Sequence, residues 1–424
     1  MVAFVTRPWQ AVSAVIAISL ALVLLEVPLD TWLTTATLSL ACGVAALSLM
    51  ATAAILGGRW PLPESLFGGL DRVYEAHKWL AVFALSLASV HLLFKAGIRS
   101  WDAAAILALT PDWTRLVRQA SFVGLMLIVM LALNRNIPYS VWRWWHRLSG
   151  PLFLIVVLHW LSIKSPLPLL SPVGIWLTAL TGLGLAAAAY KLLLYPFLAR
   201  HAGYQVVDVT RGPSAAQIEL EPVGRGFDFR PGHFGFLRMK VDGLREPHPF
   251  TIAAAPSPGG RISFVVRALG DYTARLVSSI EPGMHADVYA PYGRFERSAI
   301  AAREIWIAGG VGISPFIAWM KDSQTVALER VSLFYFYTPG RVFPDIDVLR
   351  AMAAEKSVEF IPIATGPNTA SFTQRFSEII RSSDPSALDV AVCGPRGLLD
   401  EVRKLAASYG LEPARIRHEL FAFR

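Results

Sequence analysis

The sequence has little cysteine. Only Cys42 and Cys393 occur among its 424 residues, and they form no Cys-x-x-Cys pair. Two cysteines so far apart argue against a disulfide framework and against an iron–sulfur cluster, both of which draw on closely grouped cysteines.

Charged residues are also scarce, at 17% of the chain, although the net charge is +8. No basic run of the kind that binds nucleic acid is present, so no nucleic-acid partner is expected. The positive charge comes mostly from the amino-terminal half, and contact of these basic residues with lipid is the simpler explanation for it.

What the chain has in abundance is apolar sequence, at 54% hydrophobic residues, and the character changes near residue 200. Eleven of the 13 tryptophans lie before that point, as do the long hydrophobic runs. This pattern predicts a membrane bundle with aromatic belts over residues 1–200. The Gly/Pro punctuation and short apolar runs that follow predict two soluble domains, 201–297 and 298–424.

Six membrane spans are predicted in the first part. The first is interpreted as an uncleaved anchor rather than a signal peptide, and an apolar piece between the third and fourth spans is too short to cross. The predicted spans are Trp9–Val27, Trp32–Leu56, Arg72–Lys95, a short Gln119–Leu133, Trp142–Lys164 and Val173–Leu198.

Two of these spans carry paired histidines. His77 and His91 are 14 residues apart, and His146 and His159 are 13 apart, so each pair spreads over about 20 Å of helix. Laid antiparallel, the spans bring His77 to His146 at the inner face and His91 to His159 at the outer face. Facing neutral imidazoles are what bis-histidine haem ligation needs. On an ideal helix, 13 residues leave the two histidines about 140° apart around the axis, and a proline kink at Pro151 or local unwinding is expected to supply the missing rotation.

After Arg200 the sequence alternates in strands and turns, which predicts an antiparallel barrel of six strands with one helix near Ala274–Ile280. From Glu304 the pattern changes to strand, glycine turn and helix. The buried strand Ile305–Ala308 runs into Gly309–Pro315, the arrangement that receives a pyrophosphate at a helix N-terminus. Three further strands predict an open parallel sheet whose carboxyl edge binds ligands.

These motifs together resemble the ferredoxin–NADP reductase superfamily, and the whole chain is similar to ferric-reductase-type proteins of the NADPH oxidase group, especially small bacterial ones. The resemblance implies a multi-domain protein: a six-helix transmembrane bundle, an antiparallel β-barrel FAD domain and an α/β parallel-sheet nucleotide-binding domain. It implies FAD, two haem b groups and NADPH as cofactors, and a bacterial inner-membrane location with the dehydrogenase part in the cytosol.

The resemblance also implies roles for individual residues. His77, His91, His146 and His159 correspond to haem ligands; Cys393 would lie near the nicotinamide, and Phe421 or Phe423 would stack on the flavin. Arg341, which follows the second strand, is a candidate for the 2′-phosphate of NADPH. Phe153 either shortens the gap between the haems or packs in the core. The flavin and nucleotide sites would use His248, Pro249, Phe250, Thr251, Arg267, Tyr272 and Thr273 for FAD, and Gly309, Gly310, Gly312, Pro315, Gly394 and Pro395 for the dinucleotide.

The expected activity is electron transfer from NADPH through FAD and both haems to an acceptor outside. With dioxygen as acceptor the product is superoxide, and no obligatory protein partner is expected. Three alternatives stay open: a ferric-chelate reductase, an electron-input subunit for a periplasmic protein, and a haem-free flavin reductase whose histidines bind a metal or a quinone.

Overall fold

The chain divides into two units, residues 1–199 and 200–423. The structure, a computed structural model, describes residues 6–134, 136–298, 302–323, 328–364, 370–384, 387–412 and 415–419. The domain boundary at 297/298, which falls inside the second unit, stays a prediction.

The described residues of the first unit form helices and loops, with one isolated bridge between Ala104 and Ser165. Five helical stretches in its described part are long and apolar enough to cross a bilayer, among them a composite one over Pro172–Leu198 that contains a π-helical turn at Tyr190–Leu194. The α-helices are α1 Pro8–Glu26, α2 Thr35–Gly57, α3 Pro61–Phe67, α4 Leu70–Leu93, α5 Pro111–Leu133, α6 Tyr139–His146, α7 Ser149–Ser162, α8 Pro172–Ala189 and α9 Tyr195–Leu198.

Helix α2 lies at the centre of the bundle. In its most apolar 18-residue stretch, 67% of the residues are buried, against 17–22% for the other candidate spans. Helix α2 is therefore surrounded by protein, whereas most residues of the other spans lie on the outside of the bundle. Thr34 caps its start, because the Thr34 hydroxyl accepts the Thr37 N–H at 3.2 Å. Small residues dominate its sequence, which lets the neighbouring helices approach its backbone closely.

The fifth predicted span is wrong as a single helix. It is two helices, α6 and α7, separated by a break at Arg147–Leu148. Pro151 lies in the first turn of α7, where proline is tolerated. Of the two expected sources of rotation, local unwinding is therefore the one observed, at Arg147–Leu148. The fourth span is also longer than predicted, since α5 begins at Pro111 rather than near Gln119.

The second unit begins with an antiparallel sheet of six strands in the order β4-β3-β6-β1-β2-β5, as predicted. A bridge between Ile252 and Phe264 joins the two ends of this order, so the sheet nearly closes into a barrel. One helix, α10 Asp271–Ser279, covers it. The strands are β1 His201–Arg211, β2 Ala215–Pro222, β3 Phe234–Met239, β4 His248–Thr251, β5 Ile262–Arg267 and β6 His285–Tyr292.

A parallel sheet of five strands in the order β11-β10-β7-β8-β9 follows. Neighbouring residues on a strand point to opposite faces of the sheet. Ile305 and Trp306 belong to different apolar clusters, so both faces of the sheet are buried. β11 was not predicted. The elements are β7 Arg303–Gly309, α11 Ser314–Lys321, β8 Val331–Phe336, α12 Ile346–Glu355, β9 Glu359–Ile363, α13 Ala370–Arg381, β10 Leu388–Cys393, α14 Arg396–Ser408 and β11 Ile416–Glu419.

Polar contacts pin the segment after β6 to the barrel. Glu296 accepts from Arg230 at 2.9 Å and contacts the His233 ring at 3.1 Å. The hydrogen bond with His233 is the main reason that the pKa of Glu296 falls to about 2.

Candidate functional sites

The inner histidine pair is brought together by α4 and α6. The ring centroids of His77 and His146 are 5.9 Å apart, with an interplanar angle of 76°. An iron midway would lie about 3 Å from each centroid, close to a metal–nitrogen bond of about 2 Å plus the distance of about 1 Å from nitrogen to ring centre. The pair therefore has the separation that bis-histidine ligation requires.

The backbone of α2 orients the two histidines of α4. The Nδ1 atoms of His77 and His91 donate to the carbonyl oxygens of Ala53 and Ser39, each at 2.8 Å. A carbonyl only accepts, so the proton of each neutral ring lies on Nδ1 and the Nε2 lone pair is left for a metal. Gly43 makes this approach possible, because a Cβ there would lie 2.9 Å from His91 Nδ1.

The outer pair is His91 and His159. The His159 ring lies within Coulombic range of His91 and of Arg118 on α5. On the α6–α7 side, the Nδ1 atoms of His146 and His159 are buried and find no hydrogen-bond partner among the described residues. The structure thus brings the His77 and His146 rings into contact and places His159 within electrostatic reach of His91, while haem ligation by the two pairs stays a prediction.

Three basic side chains, Lys191, Arg59 and Arg143, influence one another electrostatically, and sequence reasoning missed them. Lys191, in the π-helical turn, lies within Coulombic range of Arg59 and Arg143, and its ammonium is 3.4 Å from the centroid of the Tyr195 ring. Arg143 is three residues before His146 on α6. The only available signal was the unusual placement of a lysine inside an apolar span.

Phe153 packs in the core of the bundle. It is 3% exposed, and a Cβ at Gly184 would lie 2.9 Å from its ring. The structure therefore shows the packing role that the sequence analysis considered for Phe153. A role between the haems stays a prediction.

The glycine turn and the end of β10 touch backbone to backbone. A Cβ at Gly312 would lie 2.2 Å from the Cys393 carbonyl oxygen, and a Cβ at Gly394 would lie 3.1 Å from the Gly309 nitrogen. Gly310 has φ +55°, in the left-handed region that favours glycine. The predicted dinucleotide residues therefore form one surface, with Pro315 in the first turn of α11 and Pro395 at the N-cap of α14.

Arg267, at the end of β5, faces this glycine turn. A Cβ at Gly310 would lie 3.1 Å from Arg267 Nη1, and Arg267 Nη2 donates to the Arg341 carbonyl oxygen at 2.9 Å. The two predicted phosphate-binding arginines are thus linked through the Arg341 backbone. Their assigned roles, FAD pyrophosphate for Arg267 and 2′-phosphate for Arg341, stay predictions.

The predicted flavin residues cluster on β4 and α10. The His248 and Tyr272 rings stack with centroids 3.5 Å apart and an interplanar angle of 8°. The Thr273 hydroxyl accepts the Gly270 N–H at 3.1 Å, so it caps α10. Pro249 and Phe250 lie between His248 and the buried Thr251 on β4.

Glu419 joins Thr251 and Cys393, and sequence reasoning did not single it out. It is 7% exposed, pairs with Cys393 in the parallel sheet, and accepts from Thr251 Oγ1 at 3.4 Å. Burial raises the pKa of the Cys393 thiol well above its ordinary value, and the Glu419 charge raises it further. Phe421 and Phe423 lie outside the described residues, and their roles stay predictions.

Comparisons with known proteins agree with this arrangement. Residues 42–157 match the family described as "Ferric reductase like transmembrane component". The toluate 1,2-dioxygenase electron transfer component of Pseudomonas putida is 25% identical over 236 residues, covering 53% of this chain and 69% of that protein. Mouse NADPH oxidase 1 is 24% identical over 250 residues, covering 47% of this chain and 42% of the oxidase. The solved structure of phthalate dioxygenase reductase covers 52% of this chain and 68% of its own, with 19% identity and a TM-score of 0.43.

The first part of the chain therefore matches a ferric-reductase-like transmembrane component, and the chain is similar to the electron transfer components of dioxygenases, all of which are oxidoreductases. The chain is also similar to the NADPH oxidases. Its match to mouse NADPH oxidase 1 covers less than half of that protein's length.

Proposed function

We propose that this chain is a transmembrane NADPH oxidase. It moves electrons from cytosolic NADPH, through FAD and two bis-histidine haems, to dioxygen on the far side of a bacterial inner membrane, where superoxide forms. The observation that carries this proposal is the inner histidine pair, whose 5.9 Å centroid separation fits an iron between the rings.

The residues present fit two haems. His77 and His91 are held with Nε2 available, and the rings of His146 and His159 are buried with Nδ1 free of protein hydrogen bonds among the described residues. Arg59, Arg143 and Lys191 suit the two propionate carboxylates of the inner haem, because clustered cations are stabilised by nearby negative charge.

The residues of the second unit also fit their cofactors. When bound, FAD accepts a hydride from a nicotinamide and releases single electrons, and haem carries one electron at a time. The glycine turn presents backbone N–H groups and the start of a helix to a pyrophosphate, and Arg267 and Arg341 add positive charge beside it. Thr251, Cys393 and Glu419 form a buried edge that excludes water from the place where flavin and nicotinamide would meet.

The direct test uses the purified full chain with haem and FAD in air. We expect NADPH-dependent reduction of cytochrome c that superoxide dismutase abolishes, and the same protein without FAD is the control. Reduction that is insensitive to dismutase, with faster turnover on ferric chelates, would instead assign a ferric-chelate reductase. Inactivity until a second protein is added would assign an electron-input subunit.

A further inference from the structure

The loop between α4 and α5, residues 94–110, closes one end of the bundle, and we name it the strap. It begins three residues after His91, where the Phe94 carbonyl accepts from the Ser39 hydroxyl at 2.8 Å. Near its end, Leu107 N donates to the carbonyl of Leu161 at 2.8 Å, two residues beyond His159. The strap therefore runs from the helix that carries one outer histidine to the helix that carries the other.

A two-stranded bridge fastens the strap to the next loop. Ala104 N donates to the Ser165 carbonyl oxygen at 3.2 Å, and Ser165 N donates back to Ala104 at 3.1 Å. The strap and the loop that contains Ser165 are thus held together by backbone hydrogen bonds, which do not depend on the side chains present.

Trp101 is the inward-facing residue of the strap. It is only 7% exposed and belongs to the same apolar cluster as Leu167, 3% exposed, and Trp160, the residue after His159. Its indole Nε1 is buried and finds no hydrogen-bond partner among the described residues. A buried N–H without an acceptor costs free energy, and a small acceptor or anion that reached this position would recover that cost by accepting from it.

We propose that the strap limits the outer acceptor to small molecules of the dioxygen class, and that the Trp101 N–H hydrogen-bonds the acceptor or the anion it becomes. This inference rests on the proposed function and narrows its substrate. One NADPH supplies two electrons, so two dioxygen molecules become two superoxide anions, and NADP⁺ and one proton remain. We expect the strap, held by its backbone hydrogen bonds and filled by the buried Trp101, to exclude a ferric chelate, and no acidic or basic catalyst is needed in this step.

The test compares acceptors in three variants of the full chain. Trp101→Ala opens the strap, Trp101→Phe removes only the N–H, and Trp113→Ala is the control, because Trp113 is 60% exposed on α5. The measured quantity is the rate of ferric-EDTA reduction divided by the rate of dioxygen consumption. Cleavage by trypsin after Arg99 reports strap opening without depending on turnover.

We expect Trp101→Ala to raise the chelate-to-dioxygen ratio about tenfold and to speed cleavage at Arg99, while Trp113→Ala changes neither. Trp101→Phe should raise KM for dioxygen by about threefold to tenfold, the effect of one lost hydrogen bond, without changing the ratio as much. Should Trp101→Ala fail to fold, Ala104→Pro opens the strap by deleting the donor of one bridge hydrogen bond.

An unchanged ratio and an unchanged KM in these variants would overturn the proposal, as would a wild-type protein that reduces ferric-EDTA as fast as dioxygen. Anaerobic haem reduction by NADPH separates this failure from failure of the proposed function. If the haems are reduced normally, the proposed electron path is retained and only the role of the strap is rejected. If the haems stay oxidised, the proposed function itself is rejected.

Discussion

The contact between Gly312 and Cys393 gives the sharpest test of the nucleotide site. Gly312→Ala adds a Cβ that would lie 2.2 Å from the Cys393 carbonyl oxygen and 2.7 Å from its carbon. Ordinary contact needs at least 3.4 Å, so the two backbones must separate by about 1.2 Å. Neither partner is a flexible side chain, and the separation moves the glycine turn away from the end of β10.

The cost has two parts. Overpacking of this kind typically destabilises by about 1–3 kcal/mol. A displacement of about 1 Å at a positioning surface can lower a reaction rate by roughly 100-fold. We therefore expect a modest loss of thermal stability and a fall of about 10-fold to 100-fold in the rate of flavin reduction by NADPH.

The assay is anaerobic stopped-flow absorbance of the flavin after mixing with NADPH, with the affinity for NADP⁺ measured separately by titration. Gly397→Ala is the matched control, because no heavy atom lies within 4 Å of a Cβ at that helical position. If Gly312→Ala reduces its flavin as fast as Gly397→Ala and binds NADP⁺ equally well, the proposed packing between the glycine turn and β10 is wrong.

Further predictions follow from the other sites. His77→Leu and His159→Leu each remove one ligand from a different pair, so each should bind about half the wild-type haem in a pyridine haemochrome assay; full haem content in either would contradict the pairing. The folded pKa of Glu296, about 2, lies below its ordinary 4.5, so its stabilisation is present above pH 4.5 and is lost as pH falls towards 2. Glu296→Gln should remove about 1 kcal/mol or less of this acid dependence in unfolding monitored by circular dichroism, because 37% of the side chain is exposed, and an unchanged profile would refute it. Cys393 should resist iodoacetamide at pH 8 until the protein is unfolded, because its buried thiol stays protonated; rapid native labelling at Cys393, located by mass spectrometry, would count against this.

The fold was largely predictable because its strongest signals are local. Long apolar runs, the alternation after residue 200 and the strand–glycine–helix pattern at Gly309 each specify an element without knowledge of distant contacts. The four histidines were predictable for the same reason, since their spacing within each span places them at matching depths.

Features set by tertiary contacts were not predictable. The break at Arg147–Leu148 carries no glycine or proline at the break itself, and Pro151 drew attention to the wrong turn. Glu419 acquires its position only because β11 pairs with β10, a short strand with no turn signal of its own. Lys191 meets Arg59 and Arg143 through the packing of three separate segments.

The hydrogen bonds from His77 and His91 to α2 have a consequence for how this bundle evolves. Helix α2 supplies two carbonyl oxygens, from Ala53 and Ser39, and any amino acid carries such an oxygen. Its contribution to ligand orientation therefore comes largely from backbone atoms, although the Ser39 hydroxyl also lies 3.2 Å from His91 Nδ1. Side-chain size matters more directly at Gly43, beside His91, where a larger residue would exclude the imidazole, so substitutions at that position are limited by volume.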